Sequence, residues 1–132
     1  MSGVLAERYI GSIRNLYQKY LDDGRNLIHL LNIRGFKVNA AMWYYSSETD
    51  MWKFLIASPY VSRSGTNKSY MLIQSILREL PESDLSLDKI SVIKLNDPII
   101  RLVRKVKHGG EFRFNGYIDG ILIEDAYIYV IN

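Results

Sequence analysis

Cysteine is absent from the 132 residues. Its absence excludes disulfides, zinc thiolate sites and cysteine nucleophiles, and makes a reducing compartment such as the cytoplasm the expected location. No apolar run approaches the length of a membrane span, so no membrane partner is expected. The first eight residues, Met-Ser-Gly-Val-Leu-Ala-Glu-Arg, include an acid and an arginine and lack an apolar core, so they do not read as a secretory signal. Histidine is scarce: His29 and His108 have no partners at metal-ligand spacing, and neither a metal nor a cofactor is expected from them. No serine sits in a Gly-x-Ser-x-Gly elbow. Repeats, low-complexity tracts and dividing linkers are also missing, so residues 1–132 read as one domain, able to bury about two-thirds of its unfolded surface.

What is present starts with an uneven charge. The net charge is +3, but Lys89 to Arg113 holds seven Lys or Arg against two acids, a local balance of +5. Such asymmetry suits a polyanion-facing patch, and equally a solvated helix face.

Leu5, Tyr9, Ile13, Leu16, Tyr20, Leu27 and Leu31 form a helical stripe, predicting a long N-terminal helix from about Val4 to Ile33. Gly24 falls where the stripe would need another member, which reads as a site of close backbone approach; the alternative is a break at Asp22-Asp23-Gly24. Gly35 ends the helix, with Arg34 at its negative end. Val38 to Tyr45 and Met51 to Ser58 read as a hairpin. Pro59 and the stretch Ser62 to Thr66 read as a loop, followed by a helix capped by Thr66 or Asn67 and stopped by Pro81. Ile90 to Leu95 is a strand. Asn96-Asp97-Pro98 opens a third helix that turns Ile99, Leu102, Val103 and Val106 inward and ends at His108-Gly109-Gly110. Phe112 to Ile131 then holds two or three short strands with turn signals at Asn115-Gly116, Asp119-Gly120 and Glu124-Asp125. The expected fold is α+β: three helices and a mostly antiparallel sheet of about five strands.

The aromatic hairpin poses the main question. Alternation puts Val38, Ala40, Met42 and Tyr44 on one face and Ala41, Trp43 and Tyr45 on the other, with Trp52, Phe54 and Ile56 opposed to Lys53, Leu55 and Ala57. Both faces are apolar, so these strands are expected at the centre of a sheet covered on both sides. Core packing is the leading reading; a base-stacking platform would need Trp43 or Trp52 exposed at the hairpin end.

Three sets of residues invite a chemical reading. "SGTNKS", Ser64 to Ser69, lacks the glycines of a phosphate loop at Asn67 and Ser62, leaving a helix start flanked by Arg63 and Lys68 that is either an anion site or an ordinary cap. Arg101, Arg104, Lys105 and His108 recur at helical spacing on the helix 98–108; with Lys94 and Arg113 they would suit successive phosphates, while a solvated face near a helix C-terminus accounts for them as well. No RNP, zinc-finger or KH signature accompanies them. Glu124 and Asp125, as neighbours in a strand, would point to opposite faces and could not share a metal unless they form a turn.

Three segments, "AAMWYYSSETDMWKFLIASPYVSRSG", "DKISVIKLNDPIIRLV" and "GILIEDAYIYVIN", resemble a group of small uncharacterised bacterial proteins with a similar aromatic hairpin, Ala-Ser-Pro step, Asn-Asp-Pro helix start and Glu-Asp-Ala-Tyr-Ile-Tyr terminus. The resemblance runs from about Gly24 onward; it implies a stand-alone domain and carries over no catalytic residue.

The functional expectation is a non-catalytic protein-association module that forms a homodimer. Its candidate interface residues are Tyr9, Tyr17, Tyr20, Tyr127, Tyr129, Trp43 and Trp52, amphipathic aromatics of the kind enriched at interfaces. The alternatives are a nucleic-acid-binding accessory protein using the basic helix, and a metal-dependent hydrolase or nuclease with Glu124, Asp125 or Asp119 at the metal.

Overall fold

Helix α1 (Gln18–Ile33) opens the computed structural model, which describes residues 16–132. The expected continuous helix from Val4 is corrected at its start: Tyr17 is extended, with ψ 148°, so the helix does not run through Leu16 and Tyr17. The stretch before Leu16, with Tyr9, lies outside the described residues. Through Asp22-Asp23-Gly24 α1 is unbroken. Lys19 donates to the buried Asp23 carboxylate one turn on at 2.8 Å, and that carboxylate also accepts the Asp84 N–H at 2.7 Å, tying α1 to the loop beyond Pro81. Gly35, at φ +83°, ends the helix as expected. The Gly35 N–H reaches Asn32 O and the Phe36 N–H reaches Leu31 O, a paired closure that only a left-handed residue allows without strain.

Strands β1 (Ala40–Ser46) and β2 (Met51–Ala57) form the expected hairpin. The loop expected at Ser62 to Thr66 is instead part of α2 (Pro59–Leu77). Ser58 caps it, accepting the Tyr60 N–H at 3.1 Å while donating to Phe36 O, and Pro59 takes the first helical position, where its missing N–H costs nothing. Gly65, with φ 89° and ψ 167°, kinks the helix, so the expected cap at Thr66 or Asn67 is replaced by a restart after this glycine. A short 3₁₀ turn, Leu87–Lys89, leads into β3 (Ile90–Ile93), which pairs with β2 in parallel; β2, α2 and β3 thus form a crossover unit.

Helix α3 (Pro98–Arg104) starts as expected, with Asp97 accepting the Ile99 N–H at 3.0 Å. It is shorter than the sequence suggests. It ends at Arg104, and Ile100 and Val103 are its buried residues, with Ile99, Leu102 and Val106 only partly covered. Strands β4 (Phe112–Ile118) and β5 (Ile121–Ile131) close the chain. Asp119 and Gly120, both at positive φ, make the two-residue turn whose twist suits a hairpin. The other two turn signals are corrected. Glu124 and Asp125 lie within β5 and together span the step that Asn115 alone makes in β4, a bulge in place of a turn.

The sheet order is β3-β2-β1-β5-β4, antiparallel except at β2–β3. The two-faced apolar hairpin is central, as expected. Ala41, Trp43, Phe54 and Ile56 pack under α1 and α2. Ala40, Met42 and Ala57 face the opposite way, against Ile100 and Val103 of α3 and Ile123, Ala126 and Ile128 of β5. The structure is therefore a single α+β unit with a mixed five-stranded sheet and helices on both faces.

Candidate association surface

The aromatics of the hairpin are core. Trp43 is 1% exposed and Tyr45 and Phe54 are buried; Trp43 stacks at a tilt on Phe54 and Tyr20, ring centroids 5.0 and 5.5 Å away. Trp43 and Tyr129 are thus corrected as interface candidates: both lie inside the chain. Tyr129 is an extra residue of β5 opposite the step from Ala41 to Met42, and this bulge aims its ring beneath α1. Its hydroxyl accepts from Trp43 Nε1 at 3.0 Å and donates to Leu21 O at 2.8 Å. Tyr127 and Tyr129 do share a face, with rings 5.4 Å apart. Tyr20, Tyr127 and Trp52 are half-buried and Tyr17 is exposed.

A polar chain runs from that core to the surface. Arg25 of α1 holds Glu111 through Nε at 3.0 Å and Nη2 at 2.8 Å, and Tyr127 donates to the same carboxylate at 2.8 Å. The hydrogen bond to Glu111 raises the Arg25 pKa, and its counterpart holds Glu111 below the usual carboxylate range. Burial pushes the Tyr129 phenol well up, and burial together with Glu111 raises that of Tyr127. Below pH about 10, the ordinary phenol value, both states of the chain are neutral at these tyrosines and their contribution is complete. Above it the unfolded chain ionises first, so stability is expected to fall as pH climbs toward the raised folded-state values. Thermal melts across this range should show a steep loss that is smaller in Tyr129→Phe; equal losses would mean that Tyr129 is not the group responsible.

The basic candidates divide by partner. Arg104 donates through Nε and Nη2 to Asn132 O at 3.2 and 2.6 Å, Lys105 pairs with Asp119, and Arg113 pairs with the buried Asp125 at 2.7 Å while lying 5.6 Å from the Trp52 ring centre. His108 lies beyond the helix, edge-on to Phe112 at 5.0 Å. The stripe expected on the helix 98–108 is thus reduced to Arg101 and Arg104 on α3, with Lys105 at its cap. Arg101 and Lys94 are exposed and have no carboxylate partner among the described residues. Arg63 and Lys68, also exposed, stand on either side of the Gly65 kink.

The carboxylates proposed for a metal are not brought together. Asp125 faces Arg113, Glu124 accepts the Ser47 N–H at 2.8 Å, and Asp119 sits in the hairpin turn. Among the described residues, no group of three or more His, Asp or Glu side chains is placed to hold a metal ion. Nor is any described helix long and apolar enough to cross a membrane. An open groove of about 540 Å³ lies between α1 and residues 79–83. Three of the acids that line it have cation partners: Lys19 for Asp23, Arg25 for Asp22 and Arg34 for Glu79.

One surface stands out that sequence reading passed over. Tyr117 (71% exposed), Ile121 (52%) and Leu122 (47%) all lie on the β4–β5 hairpin. Tyr117 is opposite Leu122, and Ile121 is opposite the buried Ile118. The strand itself is read from the alternating run "FRFNGYI"; its place at the edge of the sheet could not be read from it. These features define a small α+β protein whose hairpin at one end of the sheet exposes apolar side chains. No protein-family model matches the chain, and no curated protein or solved structure is significantly similar to it.

Proposed function

We propose that this chain is a non-catalytic association module that works as a homodimer through its β4–β5 hairpin. The observation that carries the reading is that Tyr117, Ile121 and Leu122 are all exposed at the tip of this hairpin, Tyr117 and Leu122 side by side on one face and Ile121 on the other. Large apolar side chains grouped on one exposed hairpin, with a tyrosine among them, are the composition of an interface core. Among the described residues, the remaining exposed large apolar side chains are scattered: Met71 on α2, Ile33 at the end of α1, Met51 at the start of β2 and Tyr17 before α1. Sedimentation equilibrium at micromolar concentrations is expected to give twice the chain mass. Tyr117→Lys combined with Leu122→Lys is expected to give the monomer mass with little change in melting temperature, since both side chains face solvent. A wild-type chain that stays monomeric across the concentration series overturns the reading.

A second reading, binding of nucleic acid, is favoured by Lys94 and Arg101, exposed and without a carboxylate partner among the described residues, at the end of the sheet where β3 finishes and α3 starts. It is the weaker one, because Arg104, Lys105 and Arg113 are engaged within the chain. Oligonucleotide anisotropy over a salt series tests it: binding that weakens with salt and is lost in Lys94→Glu/Arg101→Glu supports it, and absence of binding at low salt removes it.

A further inference from the structure

We infer that the second copy pairs with the outer edge of β4 in an antiparallel register centred on Asn115, joining two five-stranded sheets into one of ten; the inference rests on the homodimer reading above. The sheet has two edges, and they differ. The β3 edge is four residues long, and its Val92 N–H is already taken by the Tyr70 hydroxyl at 3.1 Å. The β4 edge is seven residues long. Apart from its pairing with β5, none of the backbone groups of Phe112 or of 114–118 has a hydrogen-bond partner among the described residues. Proteins ordinarily blunt such an edge with lysine, proline or a cover. Strand β4 has neither residue, and its one charge, Arg113, is turned across the face toward Asp125 and Trp52.

The sequence of β4 selects the register. In a two-fold antiparallel pair with continuous faces, one residue meets its own copy. Centring on Arg113 would oppose two guanidinium groups, which is unfavourable. Centring on Phe114 or Gly116 would leave two of the seven residues unpaired. Centring on Asn115 pairs all seven. It sets Arg113 opposite the partner's Tyr117 on one face, and Phe112 opposite the partner's Ile118 on the other. Phe114 then stands opposite the partner's Gly116, which brings no side chain against it. Within one chain the Phe114 ring already lies over Gly116, 3.6 Å from where a Cβ would be, so each ring covers its own chain's glycine at this pair. Just beyond the strand, Glu111 would approach the partner's Asp119, and each of these carries its own cation, Arg25 and Lys105.

The absence of cysteine makes the test direct. Directly opposed Cα atoms in an antiparallel pair are about 4.5–5.5 Å apart, inside the range a disulfide spans. Asn115→Cys under mild oxidation is therefore expected to give a covalent dimer on non-reducing electrophoresis. It should form at least about tenfold faster than in the exposed control Met71→Cys, because thiols held at contact react at a millimolar effective concentration. A wild-type dimer whose Asn115→Cys variant does not cross-link, or does so no faster than Met71→Cys, overturns the edge pairing and leaves the homodimer standing. A monomeric wild-type chain overturns both.

Discussion

Trp43→Ala is expected to destabilise the protein by about 4 kcal/mol, the range found for removing a large buried aromatic. Trp43 is the largest of the fully buried side chains and lies on the central strand, with Phe54 and Tyr20 against its ring. Truncation opens a cavity that a sheet and two helices cannot close. It also deprives the Tyr129 hydroxyl of the Nε1 donor at 3.0 Å. Domains of this kind have about 5–15 kcal/mol in total, so the variant should sit near the edge of folding at 37 °C. Trp43→Phe keeps an aromatic ring and loses the donor, and roughly half the effect is expected. Urea unfolding midpoints read both; a change below about 1 kcal/mol for Trp43→Ala would place this side chain at the surface after all.

Gly24→Ala should also destabilise, against the usual direction. Alanine in a helix is favoured over glycine by about 1 kcal/mol, and on an exposed helix the substitution would be an improvement. Here a Cβ would lie 2.9 Å from Tyr129 Cζ and 3.3 Å from Phe54 Cε1, both closer than packed carbons sit. Tyr129 has little freedom to withdraw, because its hydroxyl is fixed between Trp43 Nε1 and Leu21 O. Overpacking costs about 1–3 kcal/mol, and moving Tyr129 gives up two hydrogen bonds of about 1 kcal/mol each. The net loss is expected to be about 2 kcal/mol. In a Tyr129→Phe background the same substitution should cost less, a coupling of at least about 1 kcal/mol in the double-mutant cycle. A stabilised Gly24→Ala variant would mean that α1 does not rest on Tyr129.

The role of Gly24 is legible in the sequence, since a gap in an apolar helical stripe filled by glycine implies close approach. What it approaches is not, because Tyr129 is more than a hundred residues away and reaches α1 only through a bulge in β5. The cap at Ser58 uses the same signal as Asp97, a capping residue followed by proline. The Ser-Gly-rich stretch behind it points to a loop, and the kink at Gly65 reconciles the two. The basic residues are harder. Arg104, Lys105 and Arg113 find their partners 28, 14 and 12 residues away, and helical periodicity carries no information about such pairs.

Sequence alone determined the α+β class, the element order and the central place of a hairpin apolar on both faces, because periodicity and turn chemistry are local and burial on both faces leaves its mark on every residue of a strand. Tertiary structure decided which cations are engaged within the chain, which aromatics vanish into the core and which strands form the edges of the sheet. Each of these depends on what lies across a space from a residue, and that is set by the order in which strands join the sheet and by how the helices pack on it.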